Sequence, residues 1–379
     1  MPHLVFDFAL KGLLEFKIRL PGIPSLKEKE PRLPTFLLGY NVEPCDRKPP
    51  CAIEDFLRAV SRLHRELRLP CTFFVCGRSL ELHVDAFRRV QDECGDLIDF
   101  EQYTYAGLPI KTVCRQTHEG TQVFRGLTAE QCADSVSRTA RLMEQHLSVK
   151  PIGLSAPMGY YRGLSDRPEI LEVLEKEGIR FVRSYARNAQ DSSPLAFEVQ
   201  PFVYEAQGFP DILEIPGQGW PDALLRATLG FENLQPYVAH VKKDLDYVCA
   251  KDLVWSYVQY AWSSVLDDPE MTATRAILTY AAEQGFEMLT HRDYWKRIRE
   301  PDASETVSST GEQESTPPSF AQFDEPVENR SCSCRRRWRP RRMFLKSKCA
   351  RKRRKPLLRR LMRKAGSRTR FRLLMDLSE

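Results

Sequence analysis

Short apolar runs alternate along this chain with longer stretches in which apolar residues return every three or four positions. Residues 35–42 form an almost unbroken apolar run, the pattern of a buried strand. Over residues 53–67, Ile53, Phe56, Leu57, Val60 and Leu63 share one helical face, with His64 near its edge. A second strand pattern covers 71–77, and a helix follows to about Asp92. Residues 97–101 read as a short strand running into a polar and aromatic loop that ends at Pro109. Thr128 and Gln131 have the form of a capping box that opens another helix. Strand patterns recur at 151–157, 179–184, 211–215, 253–260 and 286–289. Pro168 sits near the first turn of a helix that ends at Gly178, and a further helix spans about 269–284. So many strands alternating with helices predict an α/β fold whose parallel sheet curls into a barrel.

Outside that region the pattern stops. Residues 1–33 carry a short apolar segment and a proline-bearing linker; the segment either packs on the outside of the main domain or lies on a membrane surface. Residues 301–330 are rich in Ser, Thr, Glu and Pro, a composition that buries too little apolar surface to fold alone and reads as a disordered linker. Residues 331–379 form an Arg/Lys-rich tail. The expected organisation is therefore 1–33, a barrel over 34–300, the linker and the tail.

Charge sharpens this division. From Arg330 onward the chain has 21 Lys or Arg against only Asp376 and Glu379, so the net charge of +6 averages an acidic body with a basic tail. Such a tail either binds a polyanion, nucleic acid or anionic lipid, in a salt-dependent way, or is a solvated extension. The eleven cysteines form no Cys-x-x-Cys pair. The amino terminus lacks the features of a secretion signal, and no apolar stretch is long enough to cross a bilayer. These features predict reduced thiols in a cytoplasmic protein without a transmembrane segment.

In a barrel of this kind, chemistry collects in the loops at the carboxyl ends of the strands. The loop Tyr103, Thr104, Tyr105, Ala106, Gly107 resembles that of the polysaccharide deacetylases, the NodB-homology carbohydrate esterases, where two histidines four residues apart hold a divalent metal. The resemblance spans about 34–295 and implies a distorted barrel of seven to eight strands. It also implies removal of an acetyl group from an N-acetylated carbohydrate by metal-activated water, with a carboxylate base and a second acid.

At the positions that serve this chemistry the chain departs from the family. Tyr103 and Gly107 stand where the histidines belong. Tyr40 to Pro44 resembles a family Asp-Val-Glu-Pro sequence with Asn41 in place of the basic aspartate, leaving Glu43 as the adjacent acid. Residues 154–159 resemble a family segment whose arginine orients that aspartate, and here Ser155 replaces it. Tyr260, before Ala261, Trp262 and Ser263, takes the place of a later family histidine. Residues 219–222 resemble the family segment that supplies an aromatic wall to the sugar site, and Trp220 within them either contacts ligand or packs over a barrel end.

These departures imply that the usual metal-dependent deacetylase site is lost, leaving a carbohydrate-binding or scaffolding role around Trp220, Tyr103 and Tyr105 as the first reading. No cofactor is then expected, and a divalent metal such as zinc only in a rearranged site. The catalytic positions would be Asn41, Glu43 and Ser155, two of them substituted, and the ligand contacts Trp220, Tyr103, Tyr105 and Tyr260. A second reading is an active amidohydrolase built on Glu43 or Glu101, with Asp46 and Asp99 as further oxygen donors; otherwise Glu101 is a strand-end acid in water. A third is a polyanion binder acting through residues 331–379. His64, His118 and His291 read as surface or rim histidines.

Overall fold

The computed structural model describes residues 33–44, 53–117 and 120–299. The terminal segments, Asp46 and His118 lie outside the described residues. In chain order the elements are β1 (Thr35–Val42), α1 (Ile53–Leu67), β2 (Cys71–Val75), α2 (Gly77–Leu82), α3 (Val84–Cys94), β3 (Ile98–Tyr103), β4 (Val113–Thr117) and β5 (Gly120–Phe124). They continue with α4 (Ala129–Leu147), β6 (Gly153–Tyr161), α5 (Pro168–Lys176), β7 (Phe181–Arg187), β8 (Phe202–Tyr204), β9 (Phe209–Glu214), α6 (Asp222–Leu229) and α7 (Leu234–Cys249). The last are β10 (Val254–Tyr260), α8 (Ala261–Val265), α9 (Thr272–Glu283), β11 (Glu287–Met288) and α10 (His291–Arg299).

The main sheet runs β10-β1-β2-β3-β6-β7-β9-β8, with β11 pairing the start of β1. Neighbours from β10 to β9 are parallel, and β8 closes the edge antiparallel to β9. This is the distorted α/β barrel expected from the sequence. No backbone ladder joins β9 to β10; two glutamine side chains span the gap instead. The Gln218 side chain accepts from Ser256 N at 2.9 Å, and the Gln200 side chain accepts from Val254 N at 2.9 Å. Each amide also donates to a backbone carbonyl, so the open seam keeps its polar groups paired.

Alternation along β1 divides the interior in two. Phe36, Leu38, Tyr40 and Val42 face outward and pack with α1, α7 and α9 in the larger apolar core. Leu37 faces the lumen with Phe74, Tyr103, Phe181, Leu213 and Tyr294. The capping box at Thr128 forms as the sequence predicts, with reciprocal bonds of 3.2 and 3.0 Å to Gln131.

Helix α10 covers the amino-terminal end of the barrel. His291 N donates to Thr72 Oγ1 at the start of β2, and Arg292 reaches Asp99 at the start of β3. The His291 ring is fully buried between Phe74 and Phe181 and shares a 2.8 Å hydrogen bond with Ser256 Oγ. It is therefore a plug of the lumen and not a rim histidine. His64 is buried too, bonded to Tyr40 Oη and Leu69 O, and burial lowers its pKa to about 4. Each ring is buried because a neighbouring element offers it a partner, Tyr40 and the Leu69 carbonyl for His64 and Ser256 for His291.

Candidate functional site

The carboxyl-terminal halves of β1, β3, β6, β7 and β10 bring a cluster of buried polar groups together inside the barrel. Its organising side chain is one the sequence did not single out. Arg183 on β7 is 3% exposed and crosses the lumen to β1, which stands several strands away in the sheet. Nη2 donates to Asn41 Oδ1 at 2.5 Å, Nη1 to Gly39 O at 3.3 Å, and Nε to Ser155 Oγ at 3.2 Å. The guanidinium lies over the Phe74 ring, 4.1 Å from its centroid. Gly39 makes this possible: a Cβ there would stand 2.2 Å from Arg183 Nη1 and 3.0 Å from His291 Cε1. Burial lowers the arginine's pKa to about 10.

Ser155 pairs directly with Arg183 in the β6–β7 ladder. The guanidinium expected at position 155 is thus supplied by the adjacent strand, and Ser155 accepts a bond from it. Ser155 Oγ also donates to Asn41 Oδ1 at 3.3 Å. Residues 41, 155 and 183 are therefore one hydrogen-bonded cluster, with a carboxamide at its centre.

Strand β3 runs two residues further than the sequence suggests and carries Tyr103 into the lumen, 1% exposed. Burial, followed by the charges of Glu43 and Tyr260, raises its phenol pKa well above the ordinary value. Gly107 adopts a left-handed φ of +72°, and a side chain there would point toward Cys76 Sγ and Tyr103. The two positions do converge, but a buried neutral phenol and a glycine do not form a donor set for zinc. Among the described residues no group of three or more His, Cys, Asp or Glu is placed to hold a metal ion.

Glu43 follows β1 at the mouth and is half-buried. Burial raises its pKa to about 7, against the lowering effect of a hydrogen bond from Trp262, and the charge of Asp222 adds to the rise. Asp222 is fully buried at the start of α6, where it accepts from Tyr260 N at 3.1 Å and from Ser263 Oγ. Burial raises its pKa to about 7 as well. Tyr260 ends β10 in register with Asn41, and its ring lies 6.2 Å from that of Trp262. Asp222 was not read from the sequence; only its place beside Trp220 hinted at it.

Three expected residues are placed elsewhere. Tyr105 turns outward, donating to Glu81 Oε2 at 2.6 Å beneath the Arg138 guanidinium, on the α2–α4 side of the barrel. Trp220 is half-buried and packs against the outer apolar core. Glu101 is fully buried, not a strand-end acid in water. It accepts from Ile152 N and Gly153 N at 2.8 and 2.6 Å and pairs with Arg292 at 2.7 Å. Arg292 also pairs with Asp99 at 2.9 Å, so the two acids tie α10 to the floor of the barrel.

Two aromatic rings absent from the sequence reading meet at the carboxyl ends of β6 and β7. Tyr185, two residues beyond Arg183 on β7, is half-buried, and Tyr161 is 39% exposed, with ring centroids 6.1 Å apart. The β4–β5 hairpin, also unforeseen, lies between β3 and α4.

No protein-family model and no curated protein matches the chain. Solved structures do. A protein named "putative polysaccharide deacetylase" from Mycobacterium smegmatis aligns at 13% identity over 78% of this chain and 99% of its own, with a TM-score of 0.50. One named "probable polysaccharide deacetylase" from Pseudomonas aeruginosa PAO1 aligns at 12% identity over 71% and 92%, with the same score. PuuE allantoinase aligns at 13% identity over 78% and 100%, again at 0.50. At such identities the likeness is one of fold. The chain has the fold of the polysaccharide deacetylases.

Proposed function

We propose that this protein uses the polysaccharide-deacetylase barrel, over residues 34–300, to bind an N-acetylated carbohydrate at the carboxyl ends of its strands without the metal-dependent removal of the acetyl group. The observation that carries this reading is the Asn41–Arg183 pair. A general base must accept a proton from water. Here the group at that position is a carboxamide whose oxygen already accepts from both Arg183 and Ser155. Tyr103 and Gly107, at the positions of the metal-holding histidines, point the same way. The Tyr161–Tyr185 pair provides apolar ring faces suited to a sugar, taking the role that the sequence reading gave to Trp220 and Tyr105. Calorimetric titration of the full chain with N-acetylated oligosaccharides tests this. Saturable binding weakened by Tyr185→Ala supports it, and no binding across a panel of neutral and acidic oligosaccharides counts against it.

A second reading has one observation in its favour. Glu43 titrates near neutrality and lies close to another raised acid, Asp222, as a general acid or base would. In that reading Glu43 serves a hydrolysis that does not use position 41, and Glu43→Gln abolishes it. Glu101 has no part in it.

A further inference from the structure

Two carboxyl groups and one guanidinium meet at the amino-terminal end of the barrel. Asp99 and Glu101 stand two residues apart on β3, so strand alternation turns both side chains to the same face. Arg292 on α10 reaches both: Nε donates to Asp99 Oδ1 at 2.9 Å, and Nη2 lies 2.7 Å from Glu101 Oε1. Glu101 Oε2 accepts from the Ile152 and Gly153 amides. Three of the four carboxyl oxygens therefore face N–H groups. The fourth, Asp99 Oδ2, is buried and accepts from no donor among the described residues.

The two carboxyl groups also lie within hydrogen-bonding reach of each other. Two ionised carboxylates repel at that range, and neither has a hydrogen to give, so a bond between them requires one proton. That proton belongs to the pair, and the engaged oxygens leave it one seat, Asp99 Oδ2, from which it is donated to Glu101. A buried acceptor without a donor thereby becomes a donor with an acceptor.

The surrounding groups fit this assignment. Burial raises the Asp99 pKa against the lowering pull of Arg292, and Asp293, the next residue of α10, adds to the rise. Cys71 at the start of β2 is a neutral thiol whose own pKa burial pushes up. Lys150 meets the cluster through its carbonyl, which accepts from Arg292 Nη2 at 3.2 Å.

We infer that Asp99 and Glu101 share one proton and form with Arg292 a pH-sensitive latch that fastens α10 to the floor of the barrel. While α10 is docked, the pair keeps a proton that Asp99 releases above about pH 4 once the cluster opens. Opening of α10 therefore becomes easier as pH rises, by roughly tenfold per unit, until the docked pair itself loses the proton. Above that point two carboxylates share one guanidinium, and the latch is weakest. The His291 ring, seated between Phe74 and Phe181 in the lumen, belongs to the same helix, so the proton at the floor also governs how firmly that ring is held.

Amide hydrogen exchange of residues 291–299 in the full chain, corrected for the intrinsic pH dependence of exchange, measures this opening at pH 5, 6 and 7. Asp99→Asn is the matched variant, because its carboxamide keeps Oδ1 for Arg292 and places an N–H where the shared proton sits. The inference expects protection to fall at least tenfold more in the wild type than in Asp99→Asn between pH 5 and pH 7. An infrared band of a protonated carboxyl group, present in the wild type at pH 6 and missing from Asp99→Asn, supports it independently. An equal change of protection in the two proteins overturns the inference, as does the absence of that band difference. An Asp99→Asn chain that fails to fold overturns it too, because asparagine reproduces the bonds of a protonated Asp99.

Discussion

Arg183 donates to Asn41 across the barrel lumen from the strand position directly opposite Ser155. A guanidinium has moved one strand over relative to the pattern that the sequence resembles, and it still meets residue 41. What has changed is the residue it holds. A carboxylate at that place is positioned to take a proton, whereas a carboxamide is only positioned to accept hydrogen bonds.

The first consequence concerns stability. Asn41→Asp places a carboxylate where Arg183 already donates, and the arginine's desolvation cost is present in the wild type. The variant is expected to gain about 1–2 kcal/mol at neutral pH, in line with hydrogen bonds to charged groups. The gain disappears on acidification as the new carboxylate takes a proton. Because that carboxylate's folded pKa lies below its unfolded value of about 3.9, urea denaturation at pH 7 and at about pH 2.5 measures both; destabilisation at pH 7 would mean that Arg183 is already neutralised.

The floor of the barrel gives a contrasting case. Arg292→Met removes the cation from two buried acids, Asp99 and Glu101, whose pKa values burial already raises. Breaking a buried pair from one side costs about 3–5 kcal/mol, so this variant is expected to unfold at markedly lower denaturant concentration. Ligand binding at the far end of the lumen should persist while the chain remains folded.

Glu43 has a distinct pH signature. Its pKa is raised from 4.5 to about 7, so between those values the folded state holds a proton that the unfolded state has released. Its contribution to stability therefore falls as pH rises from about 4.5 to 7. Asp222 acts in the same direction, from 3.8 to about 7. Thermal melts at pH 5 and pH 8 should show a smaller loss for Glu43→Gln than for the wild type. An identical loss would place Glu43 in free exchange with solvent.

Gly39 is a packing requirement of the site. A Cβ there would meet Arg183, Phe74 and His291 at 2.2, 2.9 and 3.0 Å. Gly39→Ala is expected to cost about 1–3 kcal/mol through overpacking. A wild-type melting temperature in this variant would show that the guanidinium has room to move.

Much of the fold is legible in the sequence because barrel strands buried on both faces read as apolar runs, and helices such as α1 and α4 carry clear stripes or caps. Helices α7 and α10 and the β4–β5 hairpin are less plain. Their apolar residues are sparse or mixed with charge, as in α10, where His291 and Tyr294 are buried among arginines. For the site, the strand-end positions 41, 43, 103, 155 and 260 were found by motif, and they do converge. Arg183 escaped because an arginine within an apolar strand pattern gives no sign of the face it takes. Only the pairing of β6 with β7 places it opposite Ser155. Tyr105 points away from the lumen because β3 ends at Tyr103 and the chain turns at residues 105–106, so strand alternation no longer sets its direction. Glu101 was misassigned because its partner, Arg292, lies far along the chain.

The decisive measurement is acetate release by the purified full chain from N-acetylglucosamine oligosaccharides, with and without added zinc. A site built on Asn41, Tyr103 and Gly107 releases no acetate above the buffer rate in either condition. Zinc-dependent release, lost on removal of the metal, would contradict this reading and show that the barrel assembles its chemistry from other residues.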